Sequence, residues 1–203
     1  MDIHVENLGK RFGNQWIFKN LNLSFHKNRS YAITGPNGSG KSTFLQILAG
    51  IIPASLGSVK YLEDSVEVPD DKVFEQQFFA SPYQELPEEF SLKELLEYHV
   101  SFRKLRNDIS PDQLIDILNL GPNKNKEIRF YSSGMKQRVK LGLALYSETD
   151  VIILDEPATN LDIQNIEWYR REVSQRIKDT LVLIGSNQPY EFDFCSDVID
   201  ITK

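Results

Sequence analysis

Two short segments hold side chains whose types and spacing suit phosphate chemistry. Gly35-Pro36-Asn37-Gly38-Ser39-Gly40-Lys41-Ser42, followed by Thr43, fits the phosphate-loop pattern. In such a loop the glycines let backbone amides converge on phosphate oxygens, and the helix N-terminus behind them adds partial positive charge. Lys41 then reaches the outer phosphates, and the Ser42 hydroxyl is offered to Mg²⁺. The second segment is Asp155-Glu156, directly after apolar Val151-Ile152-Ile153-Leu154, where an open α/β sheet presents its ligand-binding edge. There Asp155 suits the Mg²⁺ shell, usually through water, and Glu156 suits polarising an attacking water. An acidic turn after a strand is common on its own; beside a phosphate loop it becomes a strong sign of phosphoryl transfer to water.

Each segment needs a strand leading into it. Ser30 to Thr34 reads as a buried strand ahead of the loop, and Phe44, Leu45 and Leu48 follow it on a helical period. Val151 to Leu154 and Leu181 to Ile184 are further apolar strands, with helices expected near 133–147 and 163–178. Strands alternating with helices imply a parallel sheet with helices packed on it. Ile3 to Leu8 and Leu21 to Phe25 alternate apolar and polar residues about a Gly13-Asn14 turn signal, so an antiparallel sheet opens the chain. Residues 57–80 read as strand-like, broken by the acidic turn Glu67 to Asp71, and are expected to complete that sheet. Ser91-Leu92-Lys93-Glu94 is a capping box, and Ser110-Pro111-Asp112-Gln113 starts another helix with Pro at its first position. The result is one α/β domain over 1–203, a P-loop NTPase core with two additions. An N-terminal antiparallel β subdomain is expected at 1–30 and 57–80, a helical insert at 85–130 ended by Gly121-Pro122, and the core at 31–56 and 131–203.

Composition narrows the setting. The chain has 23 basic and 29 acidic residues, a net charge of -6, and no block of Lys or Arg, so nucleic acid is not favoured as a direct partner. Cys195 is the one cysteine; it forms no intrachain disulfide, reads as a small buried hydrophobe and fits a reducing compartment. The N-terminus lacks the basic start and apolar stretch of a signal peptide, and no apolar run approaches the roughly 20 residues that span a bilayer. A cytoplasmic location is expected, with any membrane role supplied by a partner.

A third segment is more specific. Tyr131-Ser132-Ser133-Gly134-Met135-Lys136-Gln137-Arg138 reads by its residues alone as a helix cap, and it resembles the signature of ABC ATP-binding domains. That signature is usually Leu-Ser-Gly-Gly-Gln followed by a Gln-Arg pair; this chain departs from it at Tyr131, Ser133 and Met135. The resemblance implies the ABC ATPase fold, ATP and Mg²⁺ as ligands, and a head-to-tail dimer in which Ser132 and Gly134 contact the γ-phosphate held by the opposite subunit. It extends through Pro157-Ala158-Thr159-Asn160-Leu161-Asp162, which puts Asp162 in the loop that couples the two sites. It also puts Phe12 where the family usually stacks a Tyr on adenine, and any aromatic ring there is chemically sufficient. Two positions differ. The family's Gln, which joins the core to the helical insert and touches Mg²⁺, should follow Gln77-Phe78-Phe79-Ala80; Tyr83 or Gln84 stands there, and Gln84 is preferred. The family's switch His should end the strand 181–184, where Asn187 stands instead; its amide can donate one hydrogen bond to a γ-phosphate oxygen. His4, His26 and His99 are expected in solvated or structural roles.

By this resemblance the chain is the motor half of a membrane transporter. It would work as a homodimer, or as a heterodimer with a similar chain, docked on transmembrane permease subunits at the cytoplasmic face, with Leu86 to Phe90 lining the docking groove. The sequence ends soon after the switch strand, which resembles short exporter ATP-binding subunits, the haem-exporter type among them, rather than importers with C-terminal regulatory domains. The rival reading is a soluble ABC ATPase acting on ribosomes or DNA, but such proteins carry a second domain or long coiled-coil or zinc insertions. A third is a regulatory module that barely hydrolyses ATP; Asn187 and the irregular signature favour it, and Glu156 argues against it.

Overall fold

The computed structural model describes residues 1–202. Its elements run β1 (Asp2–Phe12), β2 (Gln15–Phe25), β3 (Ser30–Thr34), α1 (Lys41–Leu48), β4 (Leu56–Glu63), β5 (Val66–Glu67), α2 (Asp70–Gln76) and β6 (Gln77–Ala80). Then follow α3 (Leu92–Val100), α4 (Pro111–Ile117), α5 (Ser133–Tyr146), β7 (Val151–Asp155), α6 (Ile163–Arg176), β8 (Leu181–Gly185), α7 (Pro189–Phe192) and β9 (Asp197–Asp200). Two compact units result: residues 1–79, 149–156 and 174–202 form one, and residues 80–148 and 157–173 form the other.

The first unit holds two sheets. One is antiparallel, in the order β2-β1-β4-β5; the other runs β6-β7-β8-β3-β9 and pairs in parallel wherever β3, β7, β8 and β9 meet. The alternation in β1 turns Ile3 and Val5 inward, where Ile3 pairs with Phe25 and Val5 with Leu23 of β2. That face shares one core with Ile33, Val151, Ile153, Leu181 and Leu183 of the parallel sheet. Helix α1 lies in that core: Phe44 meets Phe18 edge-on at 5.9 Å between ring centroids and Phe25 at 6.3 Å. The central strands β7 and β8 are buried along their whole length and apolar from Val151 to Leu154 and from Leu181 to Ile184, as expected where both faces of a strand are covered.

The expectation for 57–80 needs correction. Residues 56–63 and 66–67 do join the antiparallel sheet, but Asp70–Gln76 is a helix and Gln77–Ala80 is the edge strand of the parallel sheet. The acidic cluster that reads as a strand-breaking turn is a helix start, with Asp70 and Asp71 in the first turn behind Pro69, where carboxylates favour the partial positive charge of the N-terminus.

In the second unit both capping boxes form. Ser91 and Glu94 bond reciprocally at the start of α3, and Ser110 and Gln113 do so at α4. Gly121-Pro122 does not end the helical part, since a short 3-10 turn at Gly121–Asn123 continues the chain into this unit. Residues 131–148 and 157–173, grouped with the core from sequence, pack in this unit. One cause is local: at Gly142 of α5 a Cβ would lie 2.5 Å from Leu118 Cδ2, so the missing side chain admits the end of α4 against α5.

Candidate functional site

The first unit gathers the phosphate loop, Asp155, Glu156 and Asn187. Gly40 caps α1 in a left-handed conformation, φ 98°, without a side-chain hydrogen bond. Only glycine fits there, because a Cβ would lie 2.4 Å from Ile17 Cγ2 and 3.1 Å from Phe18 Cδ1 of β2. The first-turn amides of α1 therefore point into the loop free of a capping side chain, which is the geometry that receives an anion. Lys41 is only 6% exposed; its ammonium donates to the Gly35 carbonyl at 2.8 Å and to the Pro36 carbonyl at 3.2 Å, so it spans the loop from inside. An ammonium carries three protons.

Asp155 ends β7 and is 2% exposed. Burial pushes its carboxyl up to about 6, against the lowering effect of a hydrogen bond with Ser42; Glu156 raises it further and Lys41 lowers it. Asp155 Oδ1 and Ser39 Oγ are buried without a hydrogen-bond partner. Buried polar atoms ordinarily find partners, so this loop has unspent capacity for a donor or a cation. Glu156 follows with φ 44°, a left-handed backbone that costs a non-glycine residue about 1–2 kcal/mol. Its amide is fixed by the Gly185 carbonyl of β8 at 2.8 Å. Strain of this kind concentrates at working sites.

Asn187, just beyond β8, donates from Nδ2 to Asn37 Oδ1 of the phosphate loop at 2.9 Å. Phe12, at the end of β1, is 55% exposed. The Lys10 ammonium covers it at 4.9 Å from the ring centroid while donating to the Pro53 carbonyl at 2.6 Å.

The second unit brings Ser132, Gly134 and Asp162 to one cleft of about 330 Å³. Ser132 is the N-cap of α5, accepting from the Met135 amide at 3.2 Å, so the helix-cap reading of this segment holds alongside its likeness to the signature. At Gly134 a Cβ would lie 2.9 Å from the Asn160 carbonyl, so this glycine permits a close backbone approach. Asp162 accepts from the Asn165 amide at 2.9 Å at the start of α6. Gln84 and Tyr83 are both exposed and line a separate cleft of about 270 Å³ with Ser133, Lys136 and Lys140.

The histidines fall outside these groups. His4 meets Ser24 at 3.3 Å, His26 meets Asp2 at 3.3 Å, and His99 meets Ser147 at 2.8 Å, where burial lowers its imidazole to about 4. Cys195 is partly buried, and burial pushes its thiol up to about 12, which keeps it protonated. Sequence reasoning missed Lys140, whose signal was a lysine inside the otherwise apolar run Val139 to Leu145.

The Asp155 shift makes a prediction about stability. The folded chain favours the protonated acid, so its stabilising contribution is complete below 3.8 and is lost as pH rises through about 6. Above that range the buried carboxylate costs on the order of 3 kcal/mol. In chelator and without nucleotide, Asp155→Asn should raise Tm at pH 7.5 by roughly 5–10 °C, and the gain should vanish near pH 4. Thermal melts of both proteins across pH check this; a gap that does not change with pH would contradict it.

The sequence model of the ABC transporter family matches residues 18–159. The chain belongs to this family. It is 27% identical over 207 residues to the ABC transporter ATP-binding protein YdbJ of Bacillus subtilis, covering 99% of this chain and 66% of that protein, so it spans just under two thirds of that relative. It is 28% identical to the lantibiotic transport ATP-binding protein SrtF of Streptococcus pyogenes, covering 97% of this chain and 85% of the other. Among solved structures, the ATP-binding cassette MJ0796, a dimer in a post-hydrolysis state with ADP and Pi, superposes with a TM-score of 0.82 at 23% identity, over 98% of this chain and 94% of that one. The fold is that of ABC ATPase domains, as the sequence reading expected.

Proposed function

We propose that this chain is the ATP-binding and ATP-hydrolysing subunit of an ABC transporter, acting as a head-to-tail dimer on transmembrane partners. The observation that carries the reading is the phosphate loop itself: Lys41 is buried across it, the α1 amides are uncapped, and Asp155 Oδ1 and Ser39 Oγ lack partners. That donor set fits ATP with Mg²⁺. Ser42 and Asp155 would hold the ion, which favours oxygen ligands. When bound, Mg²⁺ neutralises charge on the β- and γ-phosphate oxygens.

The other roles belong to the chain. Backbone amides of Gly35 and of Asn37 to Thr43 bind the phosphates around Pro36, which has no N–H to give, Phe12 offers its uncovered ring face to adenine, and Lys41 directs charge at the outer phosphates. Glu156 orients and deprotonates the attacking water. Asn187, held by Asn37 in this structure, turns its amide to the γ-phosphate. Ser132 and Gly134 complete the opposite subunit's site, with Asp162 coupling the two sites. We read the helical part around α3 and α4 as the element that passes this motion on.

Among the described residues no helix is long and apolar enough to cross a membrane, so a transport role places the spanning segments on partners, with this chain peripheral at the cytoplasmic face. Affinity capture of the tagged protein from detergent-solubilised native membranes should recover a multi-span protein. Recovery of ribosomes or DNA in its place would overturn the transport reading in favour of the soluble rival.

A further inference from the structure

Lys140 has no part in the chemistry above, yet it is one of the least exposed cations in the chain, at 7%. It sits in α5 among the buried residues Val139, Leu141, Leu143 and Ala144. Its ammonium donates to the carbonyls of Ser81 at 3.0 Å and Pro82 at 2.6 Å. The Ser81 carbonyl also accepts from the Gln84 amide at 3.3 Å. One oxygen thus joins the lysine to the residue read above as the Mg²⁺-touching Gln.

A buried charge with satisfied hydrogen bonds is seldom the most stable filling of such a site, since apolar side chains of similar volume often do as well or better. What the charge adds is direction, because it is satisfied only with both carbonyls at hydrogen-bond distance. Three more ties bind the residues just beyond, Glu88 and Phe90: Lys136 of α5 pairs with Glu88 at 2.5 Å, and the Ile128 and Arg129 amides donate to the Phe90 and Glu88 carbonyls at 2.8 and 3.0 Å. All of these lie within one compact unit. The Lys136 pair is part-exposed and is the weaker kind of tie; the Lys140 bonds are the buried ones.

We propose that Lys140 is a positioning residue that clamps the Ser81-Pro82 turn to α5, so that the helix carrying Ser132 and Gly134 moves as one piece with Tyr83-Gln84. This rests on the ATPase reading above for its effect on turnover, but the clamp itself is a property of the chain without nucleotide. A γ-phosphate engaged at the N-terminus of α5 would then shift the Gln84 segment directly.

The test compares full-length wild type, Lys140→Met and Lys140→Arg. Amide hydrogen exchange at Gln84, without nucleotide, should quicken about tenfold or more in Lys140→Met, as expected for loss of charged hydrogen bonds, and stay near wild type in Lys140→Arg. Steady-state turnover should fall about five- to tenfold in Lys140→Met, with more Mg²⁺ needed for half-maximal rate and the KM for ATP within about twofold; Lys140→Arg should recover most of the loss. Unchanged exchange at Gln84 would overturn the clamp. Faster exchange with unchanged kcat and Mg²⁺ dependence would make Lys140 merely structural, and would also overturn the proposal. A wild type that hydrolyses no ATP sinks the functional reading instead, and exchange still decides the clamp. If Lys140→Met does not fold, Lys140→Gln, which keeps two N–H donors but not the charge, should show the same changes at reduced size.

Discussion

Glu156→Gln should lower steady-state ATP turnover by about 10²- to 10⁴-fold, the range that a positioned general base contributes, while ATP binding persists. Glutamine keeps the shape and the hydrogen-bonding reach of the side chain but cannot take a proton from water. With binding intact and hydrolysis stalled, an ATP-held dimer should accumulate, visible by light scattering on adding Mg-ATP. The backbone supplies a second handle. Glu156 stands at φ 44°, a conformation that glycine adopts without strain. Glu156→Gly should therefore lose activity as Gln does, yet melt no lower than wild type and gain up to about 1 kcal/mol of stability. Activity falling while stability holds would mark a residue kept for chemistry rather than for folding. A Gln variant that hydrolyses at the wild-type rate would remove Glu156 from the base role.

The parts legible in the sequence were those whose signal is local. The loop at 35–42, the caps at Ser91 and Ser110 and the apolar strands at 151–154 and 181–184 are each specified by neighbouring residues, and the structure places elements where these signals lie. The segment at 70–80 was misread because its outcome depends on distant partners. Gln77 to Ala80 is apolar enough for either sheet, and it joins β7, with the Asp150 amide donating to the Gln76 carbonyl at 2.9 Å. The extent of the second unit was hidden for a similar reason. Nothing near Gly142 announces that Leu118 will pack against it, and nothing near Lys140 announces that its bonds go to Ser81 and Pro82.

The site residues divide in the same way. The loop is one contiguous segment and Asp155-Glu156 another, and each is chemically distinctive. Asn187 could be numbered only by counting along a strand, and its bond to Asn37, 150 residues away, is visible only in the fold. That bond gives the residue proposed for the switch position a partner in the loop. An asparagine amide, unlike imidazole, also stays neutral across the physiological range.

Removing the Lys41 ammonium should produce the other large effect. Lys41→Met retains most of the buried stem but deletes the charge aimed at the outer phosphates, and losing one preorganised electrostatic contact typically costs about 10²- to 10³-fold in rate. Here the lysine also holds the loop, through the Gly35 carbonyl at 2.8 Å and the Pro36 carbonyl at 3.2 Å, so the same change slackens the cradle and should weaken ATP binding too. The two contributions separate by measurement. Calorimetric titration with ATP in chelator reads the cradle without the metal, whereas single-turnover rates at saturating Mg-ATP read the charge. Lys41→Arg keeps the charge but replaces a compact ammonium with a rigid planar fork, which a loop closed on two carbonyls within 3.2 Å does not accommodate. Its turnover should therefore stay close to that of Lys41→Met. Melting temperatures should show all three proteins folded, because the core around Phe44 and Leu45 is untouched. Lys41→Met that binds and turns over ATP as wild type does would refute the assignment of this lysine to the phosphates. Recovery of turnover by Lys41→Arg would show that net charge alone matters, and that the bonds across the loop are incidental.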